Sequence, residues 1–519
     1  MSADTMQATG RPRTYGGWRR RRSIGLFGLG TTATLCVLGG VLVLLVLGAV
    51  SLTALLYVAP PIAIAAGLGL IRLDGVPVAV RVVQRIRWWH GVSRGYTKYR
   101  AGVVIEHPRA FQLPGVLAPM RLLDAEDGAG GRYGLVWDRR AGFLTATLRV
   151  IPASTHLADR ADADSWVANW GGWLAALGYV PMLRWVTVTV DTAPEPGTTL
   201  ADSVTASVDP RAPEPARRIL GELVASAPGA AADVDTRVSL TFNPAAAPAQ
   251  PKSLEAAVAE VGRTLHTLQA ALGGCGVTVQ GRASAADLAG IVRTAFDPAA
   301  RGHITHLTTG GTRQSGRPTE PIRFSAAGDG NPPAGGAPDW RDAGPVGAEE
   351  LWDRYRHDSG VSVSWAWHDA PRQNVHADVL ARLLSPGPHP KRVSLQYRPL
   401  PAATATRVLE NEVRAAEFRR EYRRRTRRDE TARDTADHAR AQQAAAEEAQ
   451  GAGVCLVNLF VTTTVTDEAE LARAVADTEA AAEQSKIRLR RLWRSQAAGF
   501  AASLPCGICP PELAARAKH

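Results

Sequence analysis

The segment Val454-Cys-Leu-Val-Asn-Leu-Phe-Val-Thr-Thr-Thr-Val465 is rich in β-branched and apolar residues and predicts a β-strand. Asp467 opens a predicted helix that runs to about Glu483. A second strand is predicted over Lys486–Leu489 and a second helix over 492–502, which Leu504-Pro505 closes. The order is strand, helix, strand, helix, and it decides the fold class that we predict.

The same order of elements occurs a second time, over residues 238–298. There Val238–Phe242 is the first predicted strand and Val277–Gln280 is the return strand. The helix between them begins at Ser253, whose hydroxyl is a suitable N-cap. Strands that alternate with helices, with a return strand after each crossover, favour layers of the ferredoxin-like type. We therefore predict an α+β fold with ferredoxin-like βαβ-type cytoplasmic layers.

Outside these two stretches, hydrophobic periodicity predicts further elements. Strands are predicted over 133–137, 143–151, 184–191, 361–367 and 393–398. Helices are predicted over 161–177 and, as one long Ala-, Arg- and Glu-rich helix, over 402–450. The predicted regions are a first α+β subdomain at 133–298, a Gly- and Pro-rich loop at 299–349, a second α+β subdomain at 350–505 and a C-terminal tail at 506–519.

A long uncharged segment precedes these regions. No Asp, Glu, Lys, Arg or His occurs from Ile24 to Ile71. A spanning helix needs about 20 apolar residues, so we predict a transmembrane hairpin over 24–71, with helices at roughly 24–46 and 50–71. A single tilted helix followed by a buried apolar tail is the alternative.

Both flanks of this segment are basic, in the N-terminus at 1–23 and in the juxtamembrane region and connector at 72–132. Basic flanks stay on the cytoplasmic side. We therefore predict a cell-membrane protein with two spans and both termini in the cytoplasm. The basic juxtamembrane clusters, with Trp88 and Trp89 among them, predict contact with anionic lipid, and nucleic acid is the rival ligand.

Composition excludes some activities. The 519 residues carry a net charge of +11, from 60 Lys and Arg against 49 Asp and Glu. A phosphate-binding P-loop requires a Gly-Lys-Ser/Thr sequence, and none of the lysines (98, 252, 391, 486 and 518) follows a glycine. We therefore predict that the chain is not an NTPase. The cysteines (36, 275, 455, 506 and 509) are too few for a disulfide scaffold and favour a reducing compartment.

The candidate chemical motifs are sparse. Cys506 and Cys509 form a CxxC pair. It has three interpretations: half of the ligand set of a zinc site, a redox pair, or a turn without special chemistry. His303 and His306 have a spacing that suits a metal but lie beside a Gly-rich loop, and the other central histidines (357, 368 and 376) are scattered. We predict no enzyme activity and no catalytic, cofactor-binding or metal-binding residue. The Arg-rich helix 402–450 predicts a solvated face or a docking face, and we expect no direct nucleic-acid binding.

The C-terminal motifs resemble a known family. Val461–Leu471 and Gln496-Ala-Ala-Gly-Phe-Ala-Ala-Ser-Leu-Pro505 resemble the N-terminal, non-ATPase domain of TraC-like conjugation ATPases of type IV secretion. Tyr15-Gly-Gly-Trp18 and Arg392-Val-Ser-Leu-Gln-Tyr-Arg-Pro399 are similar to an actinobacterial membrane family encoded with conjugation genes. The chain departs from the family pattern at Cys506, because the family turn usually has Leu at this position.

The resemblance implies a membrane-anchored, non-enzymatic assembly subunit of a conjugative, type IV-like secretion apparatus. Its implied partners are a separate TraC-like ATPase and other membrane subunits of the secretion complex, in which the chain would be oligomeric. We expect the ATPase to dock on 486–519, with Trp493 as an anchor, unless Trp493 packs in the core. The alternatives are an accessory membrane component of a type VII-like secretion machine and a membrane-tethered CxxC redox or metal protein.

Overall fold

The computed structural model describes residues 14–16, 18, 31–51, 53, 57–62, 72–73, 76–101, 111–126, 131–153, 158–194, 204, 207–209, 211–226, 232–304, 339–371, 373–425 and 432–516. These residues fall into two compact units. The first contains residues 1–17, 98–411 and 439–519, and the second contains 18–97 and 412–438.

The first unit is built on one large sheet. Within the described residues, a 13-stranded antiparallel sheet has the order β3-β10-β11-β12-β14-β13-β7-β8-β6-β5-β4, and β15 pairs with β12 and β9 with β6. Its strands are β3 (Lys98–Arg100), β4 (Met120–Glu126), β5 (Arg132–Asp138), β6 (Phe143–Pro152), β7 (Leu183–Pro194), β8 (Ala232–Phe242), β9 (Val277–Arg282), β10 (Gly347–Glu350), β11 (Tyr355–His357), β12 (Gly360–Asp369), β13 (Lys391–Pro399), β14 (Cys455–Val465) and β15 (Arg488–Arg491).

The helices of the described residues cover the sheet or belong to the second unit. They are α1 (Thr31–Val50), α2 (Val78–Ser93), α3 (Arg160–Leu177), α4 (Glu214–Ser226), α5 (Leu254–Ala271), α6 (Ala285–Phe296), α7 (Ala381–Leu384), α8 (Ala402–Arg425), α9 (Ala432–Ala449), α10 (Leu471–Gln484), α11 (Gln496–Ala502) and α12 (Pro510–Arg516). In the second unit, β1 (Arg72–Leu73) and β2 (Val76–Pro77) also form a short antiparallel ribbon.

One face of the large sheet is apolar because alternate residues of each strand point to the same side. On β8, Val238, Leu240 and Phe242 are buried in a core cluster with Leu265 of α5 and Trp173 of α3. A second cluster joins β12, β13 and β14 to α10 in the same way. Helices therefore cover this face along most of the width of the sheet.

The opposite face is also buried, but its strand residues are polar. Ser239 and Thr241 alternate with the apolar residues of β8, and Ser394 does so on β13. A third cluster of apolar residues, which includes Phe296 of α6 and Phe500 of α11, supplies the cover. We call this side of the sheet the buried polar face.

The structure corrects the predicted fold class. The repeated order of strands and helices predicted ferredoxin-like layers, but the strands of both repeats belong to one sheet, in which β13 joins β7 to β14. This prediction is wrong because periodicity specifies which residues form a strand and not which strand becomes its neighbour. The pairing is set by contacts between residues that lie far apart in the chain.

The predicted membrane hairpin is also corrected. In the part of the chain that the structure describes, no helix has both the length and the apolar character that crossing a bilayer requires. The transmembrane hairpin over 24–71 and the two-span membrane location are therefore wrong, and the correction rests on residues 31–51, 53 and 57–62 of that stretch. An absence of charged residues shows only that a segment is uncharged; it does not specify a helix of the length and apolar character that a span requires.

The stretch predicted as one long helix over 402–450 folds back on itself. The Thr406 hydroxyl of α8 donates a hydrogen bond to the Glu448 carboxylate of α9, with 2.8 Å between the oxygens. A single straight helix would separate these residues by about 1.5 Å for each residue between them. Residues 426–431, between the two helices, lie outside the described part of the chain.

Candidate partner-docking surface

The basic run of the sequence lies on and just after β15. In antiparallel register with β12, Arg491 is opposite Trp365, Arg490 is opposite Ala366 and Leu489 is opposite Trp367. From Gln484 to Pro511 the chain contains no Asp or Glu. We call the basic and aromatic residues of this segment the Arg–Trp strip; they are Arg488 and Trp493, which are exposed, and Arg490, Arg491 and Arg494, which are half-buried.

Arginine and tryptophan side chains alternate in space along this strip. The Arg491 guanidinium lies 5.8 Å from the ring of Trp365 and 5.2 Å from the ring of Trp493. Arg494 lies 4.6 Å from the ring of Trp352. Stacking against an indole fixes a guanidinium without neutralising it. The strip therefore presents oriented positive charge.

Trp493 is 45% exposed. The alternative that it packs in the core is therefore wrong, and its ring is accessible to a partner. By contrast Trp365 is fully buried, and its Nε1–H donates to Glu479 Oε1 at 3.0 Å. The two indoles thus separate into one that anchors the strip to the core and one that faces outward.

The backbone at both ends of the strip is unusual. Lys486 has φ 57° and Arg494 has φ 66°, in the left-handed region that residues other than glycine seldom adopt. The Arg494 amide donates to the Trp352 carbonyl at 2.8 Å, which holds this conformation in place. Surrounding contacts therefore determine the direction of the strip.

One carboxylate lies near the first residue of the strip. The Arg488 guanidinium is 3.8 Å from Asp369, and the Arg488 side chain is 71% exposed. An exposed ion pair at this distance contributes little. Another carboxylate, Glu468, forms ion pairs with two arginines outside the strip, Arg354 at 2.5 Å and Arg356 at 2.8 Å.

A second arginine cluster lies on the buried polar face. Arg237 donates to Asp235 at 2.8 Å and to Asp191 at 3.1 Å. Arg301 lies 3.0 Å from Asp233 and 3.4 Å from Asp191. These contacts connect β7, β8 and the turn after α6. We refer to Arg237, Arg301 and Arg392 as the buried arginine cluster.

Charge and burial oppose each other in this cluster. Burial alone would raise the pKa of Asp191, but Arg301, Arg237 and Arg392 together lower it. Arg392 donates to the Ser503 hydroxyl at 3.0 Å and lies 4.8 Å from the ring of Phe500. Burial lowers the pKa of Arg392 to about 10, which still leaves it charged at neutral pH. The cluster is thus an internal ion network.

Hydroxyl pairs complete the buried polar face. Adjacent strands contribute hydroxyl groups that lie opposite each other and satisfy each other, as buried polar groups require. The pairs are Thr145–Thr241 at 3.0 Å, Thr147–Ser239 at 2.9 Å, Thr189–Ser394 at 2.8 Å, Ser362–Thr464 at 2.7 Å and Ser364–Thr462 at 2.9 Å.

The CxxC pair lies in the cover of this face and not in a free tail. Cys506 is 1% exposed and Cys509 is 4% exposed. Gln396 of β13 donates to the Ile508 carbonyl at 2.7 Å, and Glu512 pairs with Arg398. Burial raises the pKa of Cys506 to about 12, which disfavours the reactive thiolate. This environment is typical of structural cysteines.

The histidines do not converge on a metal. His357 is buried between the Phe296 carbonyl at 2.6 Å and the Ser362 hydroxyl at 2.7 Å, and burial lowers its pKa to about 4. His303 is exposed, and His306 lies outside the described residues. Within the described ranges, no group of three or more His, Cys, Asp or Glu side chains could hold a metal ion.

Of the basic residues predicted to contact lipid, Arg81, Arg85, Arg87 and Arg94 lie on α2 and the turn after it. Val82, Ile86 and Trp89 are exposed at helical spacing on α2. Arg85 and Arg87 are exposed between them. This surface belongs to the second unit and is separate in the chain from the Arg–Trp strip.

Comparison with known proteins adds no identity. No protein-family model matches the chain, and no curated protein is significantly similar to it. The sequence identified the Arg–Trp strip through its run of like charges. It missed the buried arginine cluster, whose residues lie on two strands and in the turn after α6. The available signal was a charged residue within an apolar alternating strand, at Asp191 and Arg237.

Proposed function

We propose that this chain is a non-enzymatic assembly subunit that recruits a separate ATPase, in a conjugative, type IV-like secretion apparatus. The observation that carries the proposal is the Arg–Trp strip, where Trp493 is 45% exposed beside stacked arginines. A partly exposed indole and oriented guanidinium groups are the residue types that dominate binding at protein interfaces. The secretion context comes from the resemblance of 461–505 to TraC-like proteins.

The charge of the strip indicates the nature of the partner surface. Lys486, Arg488 and Arg490 follow one another at alternate positions, with no acidic residue from 484 to 511. Clustered charge of one sign raises encounter rates and sets orientation, whereas a desolvated aromatic anchor supplies affinity. The partner should therefore present carboxylates around an apolar pocket.

Among the alternatives, the CxxC redox or metal protein has the least support. Its two thiols are buried, and the pKa of Cys506 is raised to about 12. A type VII-like accessory component would use the same docking surface with a different motor, so the identity of the captured ATPase separates these two readings.

The test is capture of the ATPase by the full-length chain, affinity-tagged in its own host. We expect a chain with a Walker A motif to co-purify, and the triple variant R490E/R491E/R494E to reduce its recovery by about tenfold or more. The variant R490Q/R491Q/R494Q, which removes charge without reversing it, should give an intermediate loss. Melting temperatures report whether each variant is folded.

The matched control reverses three exposed arginines elsewhere, as R211E/R217E/R218E on and before α4. It changes net charge equally and should leave recovery unchanged. The proposal is wrong if no Walker-bearing chain co-purifies, or if folded R490E/R491E/R494E retains it as the control does. A TraC-like sequence in the captured chain supports the type IV reading, and a translocase with several ATPase domains overturns it.

A further inference from the structure

The outer side of β15 is an unpaired sheet edge. Within the described residues β15 pairs with β12 and with no other strand. On the same side of β12, β11 pairs with the earlier residues Val361 and Ser362, so it does not cover β15. In the described part of the chain, no strand pairs with the side of β15 that faces away from β12, and such an edge can accept a further strand.

The hydrogen-bond pattern shows which amides face this edge. The Leu492 amide donates to the Ser364 carbonyl of β12 at 3.0 Å. Residues of an antiparallel pair bond to their neighbour in alternation, so Arg490 shares the inward direction of Leu492. Leu489 and Arg491 then direct their N–H and C=O groups outward, and among the described residues no backbone hydrogen bond meets them there.

We infer that the partner adds an extended acidic segment to this edge as a further strand. Main-chain bonds to Leu489 and Arg491 would supply affinity, and alternate side chains would supply specificity, as in other cases of strand addition. Arg488 and Arg490 occupy alternate positions of β15 and match carboxylates at alternate positions of an extended peptide. Trp493 lies at the end of the edge for an apolar residue. The inference rests on the proposed docking function.

Arginines at a sheet edge have a second known effect, which is to prevent association of one edge with another. In that case the Arg–Trp strip would keep copies of this chain apart and would bind no strand. The experiment below distinguishes this effect from strand addition, because only strand addition needs the backbone amides of the ligand.

The probe is a short blocked peptide that alternates Glu and Val, compared with the same peptide N-methylated at every residue. The two carry equal charge, but the second has no amide hydrogens for a ladder. Full-length protein should bind the first peptide at least about tenfold more tightly, measured by calorimetry or fluorescence anisotropy. A peptide that alternates Lys and Val keeps the amides and should not bind. The R490E/R491E/R494E variant should lose binding, and R211E/R217E/R218E should keep it.

Hydrogen exchange gives the location. The unmodified peptide should slow exchange in the segment 487–494, and the N-methylated peptide should not. Equal binding of the two peptides would overturn strand addition and leave charge as the only recognition. Absence of binding to either peptide would also overturn it and assign the arginines to keeping edges apart. Neither outcome affects the proposed function, which is decided by ATPase capture with the charge-reversed variant.

Discussion

Two groups of arginines lie on the same sheet, and they differ in what surrounds them. The buried arginine cluster shares Asp191, Asp233 and Asp235 on neighbouring strands. In the Arg–Trp strip, Arg491 and Arg494 lie over indole rings, and Arg488 lies 3.8 Å from Asp369. Carboxylates cancel charge and join strands, whereas indoles hold a guanidinium in place and leave its charge unchanged.

The comparison shows that the number of arginines in a segment does not identify a docking surface. Arg392 is buried, with 4% of its surface exposed, although arginine is a residue type that usually lies at the surface. What distinguishes the two groups is burial: Arg237 shares enclosed carboxylates at 2.8 and 3.1 Å, whereas Arg488 is 71% exposed and lies 3.8 Å from Asp369. The following predictions test this distinction, from the largest expected effect to the smallest.

Asp191→Asn should have the largest effect. It removes the carboxylate that Arg237 and Arg301 share, so the positive charge of the buried arginine cluster is compensated only by Asp233 and Asp235. We expect the free energy of unfolding in urea to fall by about 3–5 kcal/mol. The matched change on the strip, Asp369→Asn, should cost less than about 1 kcal/mol because Arg488 is exposed. Similar losses in the two variants would remove the distinction between the clusters.

The Asp191→Asn variant should also change how the unfolding free energy depends on pH. Burial alone would raise the pKa of Asp191, but the contacts with Arg301 and Arg237 hold this pKa below its ordinary value. A carboxylate with a depressed folded pKa contributes stability that is present above its unfolded pKa and is lost as pH falls through the folded pKa. The unfolding free energy of the natural protein should therefore fall below about pH 4. This fall should be smaller in Asp191→Asn.

Gly507→Ala should have the next largest effect, because Gly507 lies in the cover of the buried polar face. It has φ 64°, and an added Cβ would lie 2.1 Å from Thr145 Oγ1 and 2.9 Å from Thr241 Oγ1. We expect a loss of about 2–3 kcal/mol in unfolding free energy. Gly142→Ala is the control, since Gly142 has φ 71° and nothing within 4 Å. It should cost about 1–2 kcal/mol, and an equal loss at Gly507 would show that the overlap is relieved.

Trp493→Ala should have the smallest effect on stability and a selective effect on binding. The side chain is half-exposed, so the unfolding free energy should change by about 0.5 kcal/mol or less. Recovery of the ATPase should fall about tenfold if the indole is a central anchor. Tyr179→Ala, which removes another exposed aromatic side chain, should leave recovery unchanged. If Trp493→Ala lowered the unfolding free energy substantially and left recovery of the ATPase unchanged, Trp493 would be a packing residue and not a binding residue.

Local structure was predictable from the sequence where periodicity was strong. The strand predicted at 454–465 is β14, Cys455–Val465, and the hydroxyl of the predicted N-cap Ser253 accepts a hydrogen bond from the Ala256 amide at 3.2 Å. These features depend on residues that are close together in the chain, so the sequence alone specifies them. The sheet order depends on which strand meets which, and β13 pairs with β7 about 200 residues away. Strand pairing at that separation leaves no local pattern.

The candidate site was predictable in part for the same reason. The Arg–Trp strip is continuous in sequence, so its charge was visible, but the exposure of Trp493 depends on the packing around β12. The buried arginine cluster is assembled from residues 191, 237, 301 and 392, and its neutralisation depends on their arrival at one place. The sequence therefore shows where the arginines are in the chain. It does not show which of them are buried in ion pairs and which lie at the surface.

The position of β14 also has a consequence for how the chain acquires its structure during synthesis. β14 lies between β12 and β13, so the strands on the β12 side have no continuous connection to the rest of the sheet until residue 465 has left the ribosome. The part from β4 to β8, with α3 and α5, has its own core cluster and can form earlier. Completion of the sheet is then a late, long-range step, and such steps are slow because distant segments must meet. A nascent chain halted before β14 should carry a folded first half and unpaired strands beyond it, which makes this interval the one most exposed to aggregation.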